Sequence, residues 1–293
     1  MRKESFKSAE QQIKDYLYKD NLKAYTVVDI AEIFESNREE WNIAAYRRRG
    51  HFTQFLDDQG ILKENKLKHQ TTGSIKQIYT EKDAVPFDIG LTIKKEGFLS
   101  NYSAMQIHQL TLQIPKSIYV SFTKSQGYSA NSHGNTLEQI SIDQAFSKPQ
   151  RITSEVYRSE IDNIRYYFIQ KAFIEKSVGI ISESGKNYTD LERTLIDIAI
   201  RPAYSGGVFE VLEAFTAAKE IVDIYKLDNY LTKLDYLYPY HQLIGFYMDK
   251  AGYNEKETAI FHNKKRNYNF YLTYNMSNTN FDEKWKLYYP KGF

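Results

Sequence analysis

The chain has 293 residues, of which 42% are hydrophobic and 26% charged, and its net charge is +2. That length allows two domains; no run approaches the ~20 apolar residues of a membrane span, and the charged N-terminus lacks a signal-peptide core, so a cytoplasmic protein with no membrane partner is expected. Zero cysteines exclude disulfides and thiolate chemistry.

The N-terminal eighty residues predict helices followed by a strand pair. Residues 5–20 place Phe6, Ala9, Ile13, Tyr16 and Leu17 on one helical side. Thr26 is suited to cap a second helix, VVDIAEIF, and Ser36-Asn37 suggests a turn. A third helix is predicted from about Arg38 to Asp57, with Trp41, Ala45, Phe52, Phe55 and Leu56 inside and a stop at Gly60. Residues 61–68 and 74–80 then predict two strands around HQTTG. Three helices followed by a strand pair is the order of a winged helix-turn-helix. In that fold the third helix enters the DNA major groove. The Arg47-Arg48-Arg49 run would sit on it, with Asn42 and Tyr46 one turn earlier and Lys66 and Lys68 on the wing. At ~100° per residue, three successive arginines cannot all face one way. Residues 41–80 carry a net charge of +4 and residues 1–40 a net −2, so the positive charge is local. The alternative is that the arginine run is only a solvated basic face.

The expected organisation is α+β: a winged helix over residues 1–82, a linker at 83–88 (DAVPFD), and a mixed α/β body with a helical cluster over 89–293. In the body, IGLTIKKEG predicts a helix stopped by Gly97, and residues 100–110 another, capped by Ser100. SIYVSF, 151–158, 163–170 and 177–182 predict strands, whereas 123–149 is polar and without a readable pattern. The tail segments RNYNFYLTYN and KWKLYYP predict edge strands. From Thr189 the chain predicts mainly helix up to Gly252. Thr189 and Glu192 have the spacing of a capping box, Leu191, Leu195, Ile198 and Ala199 form an apolar face, and Pro202 ends the helix at Arg201. Gly206 and Gly207 allow a tight turn. Arg193, Asp197 and Arg201 are spaced four apart, which predicts a salt-bridge ladder along one side.

No catalytic constellation appears. There is no H-E-x-x-H, G-x-S-x-G, Walker A or G-x-G-x-x-G sequence, and the six histidines lack metal-ligand spacing. Glu192 and Asp197, five apart, point ~140° away from each other on a helix. Neither an enzyme nor a metal or other cofactor is expected, and His108 is expected to be a satisfied histidine on an apolar helix.

The stretch TDLERTLIDIAIRPAYSGG (189–207) resembles the signature of the AbiEi family of bacterial antitoxins. GFLSNYSAMQIHQLTLQIPKSIYVSF (97–122) and YPYHQLIGFYMDKAGY (238–253) resemble two further family blocks in the same order, the last a hydrophobic helix with a central glycine. The resemblance implies a DNA-binding antitoxin and transcriptional autorepressor. Its winged helix would bind inverted-repeat operator DNA, and its C-terminal domain would counter a nucleotidyltransferase-like toxin. The positions it marks are Ser100, Ser103, Ala104, His108, Thr189, Glu192, Arg193, Asp197, Arg201, Pro202, Gly206 and Gly207. Two alternatives stay open: a metal-dependent nuclease-like enzyme targeted by the winged helix, and a stand-alone DNA-binding regulator.

Overall fold

The computed structural model describes residues 5–19, 23–114, 116–123, 137–172 and 178–293. The N-terminal unit runs α1 (Glu10–Leu17), β1 (Ala24–Thr26), α2 (Val27–Asn37), α3 (Arg49–Asp58), β2 (Lys63–His69) and β3 (Ile75–Thr80). Its core gathers Phe6, Ile13, Ile30, Phe34, Trp41, Phe52 and Leu56. The rings of Phe34 and Phe52 stack at 5.1 Å. Each such burial stabilises by roughly 1.5–3 kcal/mol. Thr26 caps α2 as expected: its Oγ1 accepts from the Asp29 N–H, and the Asp29 carboxylate accepts from the Thr26 N–H.

Two expectations here need correction. Ser36-Asn37 is not a turn but the end of α2, where the Asn37 amide donates to the Ile33 carbonyl at 2.8 Å. The third helix does not start near Arg38. Residues 38–48 form a looped segment that buries Trp41, Ile43 and Ala44, and α3 starts at Arg49. Asn42 sits there in the left-handed region at φ 50°, which no helix interior accepts. The Arg38 guanidinium donates to the carbonyls of Ala44 (3.1 Å), Ala45 and Arg47 (3.0 Å), holding the loop open.

β1, β3 and β2 are neighbours in a nine-stranded mixed sheet of order β1-β3-β2-β6-β7-β5-β4-β9-β8. The remaining strands are β4 (Phe98–Leu99), β5 (Ser117–Thr123), β6 (Val156–Ser159), β7 (Arg165–Lys171), β8 (Ile180–Glu183) and β9 (Lys186–Thr189). β5–β7 and β4–β9 pair in parallel and the other pairs are antiparallel. The strand pair of the N-terminal unit therefore does not end at a free edge, because β2 is bonded to β6. The expected linker is also structured from Pro86, which opens α4 (Pro86–Ile93) in the first helical position, a place proline tolerates well. α4 packs flat on one sheet face. A Cβ on Gly90 would come within 2.9 Å of the Val120 side chain.

Beyond α5 (Tyr102–Ile107), the body holds α6 (Gln139–Phe146), α7 (Leu191–Ile200), α8 (Val208–Ala218), α9 (Ile224–Leu234), α10 (Tyr240–Lys250) and α11 (Glu255–His262). α6 lies in the stretch 123–149 that was expected to be irregular, and residues 124–136 of that stretch lie outside the described residues. The predicted strand at 177–182 begins only at Ile180 and forms a hairpin with β9. The tail strands β10 (Phe270–Tyr271), β11 (Thr279–Asp282) and β12 (Leu287–Pro290) do not edge the main sheet; they form a separate three-stranded sheet. That sheet seats Trp285, fully buried, against Gly245 of α10.

Candidate functional site

The basic segment around α3 separates into inward and outward residues. Arg47 turns inward. It is half-buried, with its guanidinium 5.4 Å from the Phe6 ring and 5.3 Å from that of Tyr46. Arg48 and Arg49 are exposed at the start of α3. The Arg48 N–H donates to His51 Nδ1 at 3.2 Å, and Arg49 Nε lies 3.1 Å from the exposed Glu35 carboxylate. Asn42 and Tyr46 are not on the helix but in the loop before it. Asn42 is half-buried, while Tyr46 is 71% exposed. Lys66 and Lys68 are exposed on β2, Lys66 standing 4.0 Å from Glu64. His51 and Gln54 also face solvent on α3. Their signal in the sequence is only that they are the complement of the buried Phe52 and Leu56 on the same helix. A groove of about 760 Å³ runs between α2, α3 and β3, lined by Val28, Glu32, Arg49, Gly50, Thr53 and Gln77 among others.

The motif residues of the body lie inside it. Arg193 and Asp197 are fully buried on α7, with Nε 3.1 Å from the carboxylate. The second cation on Asp197 is Lys171 of β7, also at 3.1 Å. Arg201 does not complete the predicted ladder. Its guanidinium reaches the Arg151 carbonyl at 3.4 Å and lies 5.9 Å from the Tyr204 ring. The ladder is thus a buried ion triad. Burial opposes the Asp197 charge, but Arg193 and Lys171 hold its carboxyl below the usual range. Arg193 Nη1 also donates to the Val178 carbonyl at 2.8 Å.

Thr189 and Glu192 do not form the expected capping box. Asp190 is the cap, accepting from the Arg193 N–H at 3.0 Å. Thr189 instead pairs its hydroxyl with that of Thr194 at 2.8 Å. Glu192 accepts from the Asp223 N–H at 3.0 Å and pairs with Lys226 at 2.7 Å, tying α7 to α9. Lys226 also reaches Asp190 at 3.0 Å. Its burial lowers the ammonium's pKa, yet hydrogen bonds to Glu192 and Asp190 outweigh that and raise it.

The upstream block meets this cluster directly. His108 follows α5 and contacts the Thr189 carbonyl through Nε2 at 2.7 Å, so Nε2–H donates to the carbonyl oxygen there. Ser100 is not a helix cap; it shares a hydrogen bond with Ser121 at 2.7 Å. Ser103 Oγ accepts from the Tyr119 N–H at 2.8 Å, and Ala104 is fully buried. Pro202 opens a short 3-10 turn through Tyr204. Gly206 and Gly207 follow at φ 80° and 97°, the turn expected of them. A Cβ on Gly206 would meet the Tyr102 ring at 2.9 Å. Among the described residues, no group of three or more histidine or carboxylate side chains is placed to hold a metal ion. Nor is any helix there long and apolar enough to cross a membrane.

Fold and surface together define a mixed α/β protein in which an N-terminal helix-and-strand unit continues, through one sheet, into a larger helical body. No protein-family model and no curated protein matches the sequence. Among solved structures the chain is similar to the RV2827C protein from Mycobacterium tuberculosis. That likeness has a TM-score of 0.58 at 11% identity and covers 96% of this chain and 91% of the other. At that identity it is a likeness of fold.

Proposed function

We propose that the N-terminal unit is a winged helix that binds duplex DNA, and that the protein is the autorepressing antitoxin of a toxin–antitoxin operon. One observation carries the DNA reading. The element order α1-β1-α2-α3-β2-β3, with sheet order β1-β3-β2, puts the exposed Arg48 and Arg49 at the N-terminus of α3. The N-terminal residues of a recognition helix are those that reach base edges. The free N–H groups there favour phosphate as well. Arg48, Arg49, His51 and Gln54 are the contact set, with Lys66 and Lys68 on phosphates. Arg47 serves the core, and Tyr46 flanks the groove.

The antitoxin reading rests on the resemblance to AbiEi proteins. It is supported by the way the three resembling blocks meet in one core, through the His108–Thr189 contact and the packing of α10 on α7. The partners are then the protein's own operator DNA and a nucleotidyltransferase-like toxin.

The test is fluorescence anisotropy with the DNA upstream of its own gene and with a random duplex, titrated against salt. Preference for the upstream DNA by ~10³ or more is expected. Arg48→Ala/Arg49→Ala should abolish that preference. Equal binding of both duplexes by the wild type would overturn the repressor reading. Co-expression with a toxin encoded next to it tests the antitoxin half, and failure to rescue growth would overturn that half alone.

A further inference from the structure

The segment between α5 and β5 presents apolar side chains to water. Leu112 is 102% exposed and Ile114 is 88% exposed. The residues that alternate with them are held down on the body. Thr111 Oγ1 donates to Glu210 Oε1 at 2.5 Å, and Gln113 Nε2 donates to Glu210 Oε2 at 3.1 Å. The Tyr102 hydroxyl donates to the same carboxylate at 3.1 Å. Successive side chains of an extended chain point opposite ways, so the clamp that turns Thr111 and Gln113 onto α8 turns Leu112 and Ile114 outward. Phe209, beside Glu210 at the start of α8, adds a ring that is 54% exposed and lies 5.3 Å from that of Phe293. Leu112, Ile114 and Phe209 thus make one apolar patch around Glu210. Leu112 and Ile114 lie in the 97–122 block but are not among the positions the resemblance marks.

Apolar residues scattered singly on a surface need no explanation, whereas a grouped set marks an interaction surface. Here polar contacts fix the segment in the conformation that leaves its apolar side chains in water, where burial would be favourable. The charges beside the patch indicate what covers it. Glu213 lies one helical turn beyond Phe209 and Glu210 on α8, and so on the same side. Lys116 lies two residues beyond Ile114. Both are exposed, and among the described residues neither has an ion-pair partner. In a two-fold interface each residue meets the other copy's complement, and the reverse contact follows by symmetry. An apolar centre with one free cation and one free anion beside it meets that requirement by itself.

We propose that Leu112, Ile114 and Phe209 form the centre of a two-fold interface between two copies of this chain, with Lys116 of each facing Glu213 of the other. The patch depends on neither the DNA nor the antitoxin reading above. Its area sets its strength. Three such side chains offer ~400 Å² a side, about half the ~800 Å² of a standard stable interface. The dimer is therefore a weak one, with a dissociation constant on the order of tens of micromolar.

Sedimentation velocity of the full-length protein, over concentrations reaching ~10-fold to either side of that constant, should show a monomer passing into a dimer. Leu112→Asp/Ile114→Asp should raise the constant by ~100-fold or more, because charge then enters the centre of the interface. Its melt at low concentration should stay within about 2 °C of wild type, since neither side chain is packed in the monomer. Lys116→Glu sets like charges together and should weaken the dimer by ~10-fold, and Lys116→Glu with Glu213→Lys should restore it. A wild type that stays monomeric throughout overturns the proposal. So does a dimer that Leu112→Asp/Ile114→Asp leaves unchanged, or a charge swap that fails to restore association. A monomeric wild type whose Leu112→Asp/Ile114→Asp variant no longer rescues growth from a co-expressed toxin would assign the patch to the toxin and overturn the second copy.

Discussion

Asp197→Asn tests whether the charged residues of the 189–207 stretch serve the fold or a surface. The substitution keeps the shape of the side chain and removes its charge. Arg193 and Lys171 then lose the carboxylate that each approaches to 3.1 Å, at a site where the Arg193 side chain is fully buried. Breaking a buried pair from one side costs about 3–5 kcal/mol. At ~2–3 °C per kcal/mol for a chain of this size, the melting temperature should fall by about 10 °C. The pH dependence follows from the lowered Asp197 pKa. The charge contributes its full stabilisation above the unfolded value near 3.9, and that is lost as pH falls through the lower folded value. The gap between wild type and variant should therefore be constant above about pH 5 and close in acid. In a double-mutant cycle, Arg193→Met with Asp197→Leu should cost about 2 kcal/mol less than the sum of the two single changes. Calorimetry and urea unfolding supply all of these quantities. An Asp197→Asn protein destabilised by under about 1 kcal/mol, with an unchanged urea slope, would refute the buried-triad account, since even a modest buried pair exceeds that.

Three further outcomes are expected. In Gly245→Ala the new methyl would lie 2.1–2.2 Å from the Trp285 ring. Overpacking of that kind costs about 3 kcal/mol, and a melt within about 2 °C of wild type would contradict the seating of Trp285 on α10. Ser103→Ala removes the acceptor of the Tyr119 N–H. It should cost about 1–3 kcal/mol and speed hydrogen exchange at the Tyr119 amide; unchanged protection there would refute the contact. Burial, with Lys264 and Arg266 nearby, pulls the His241 imidazole down to about 4. The unfolded chain then takes up a proton below its ordinary value near 6.5 that the folded chain refuses until about 4, so stability falls as pH drops across that window. His241→Gln should flatten this slope, and an NMR titration midpoint near 6.5 would refute it.

The sequence made legible those elements that pattern themselves locally. α1, α2 and α7 carry helical periodicity, and Thr26 caps α2 through contacts only three residues away. The start of α3 was not legible, because Arg38 reaches across to carbonyls of Ala44 to Arg47, and no helical pattern encodes that tertiary contact. β1 has only three residues, too few to show alternation, and α6 shows its buried side through Ile142 and Phe146 alone. The pairing of β2 with β6 joins residues some ninety positions apart, and nothing in either segment announces it. At the motif, the four-residue spacing correctly paired Arg193 with Asp197. It could not show that Lys171, 26 residues away, is the third member, or that the whole group is buried.

The residues of the three blocks singled out in the sequence have a common physical character. Arg193, Asp197, Thr189, Ser100, Ser103 and Ala104 are all buried, and Gly245 and Gly206 sit where a side chain would strike a ring. Such positions are fixed by packing, and packing tolerates few alternatives, so they form patterns that can be read along a chain. The exposed cations Arg48, Arg49, Lys66 and Lys68 satisfy no such packing rule. Where they stand relative to one another is set by the packing of α3 against β2, which no local pattern announces. The motif blocks thus inform on architecture, whereas the placement of the exposed cations is visible only once the tertiary fold is known. It follows that variants at the buried positions of the motif blocks should act first on folding, and variants at these exposed cations on the proposed DNA binding. A motif variant that abolished DNA binding with its stability intact would break this division.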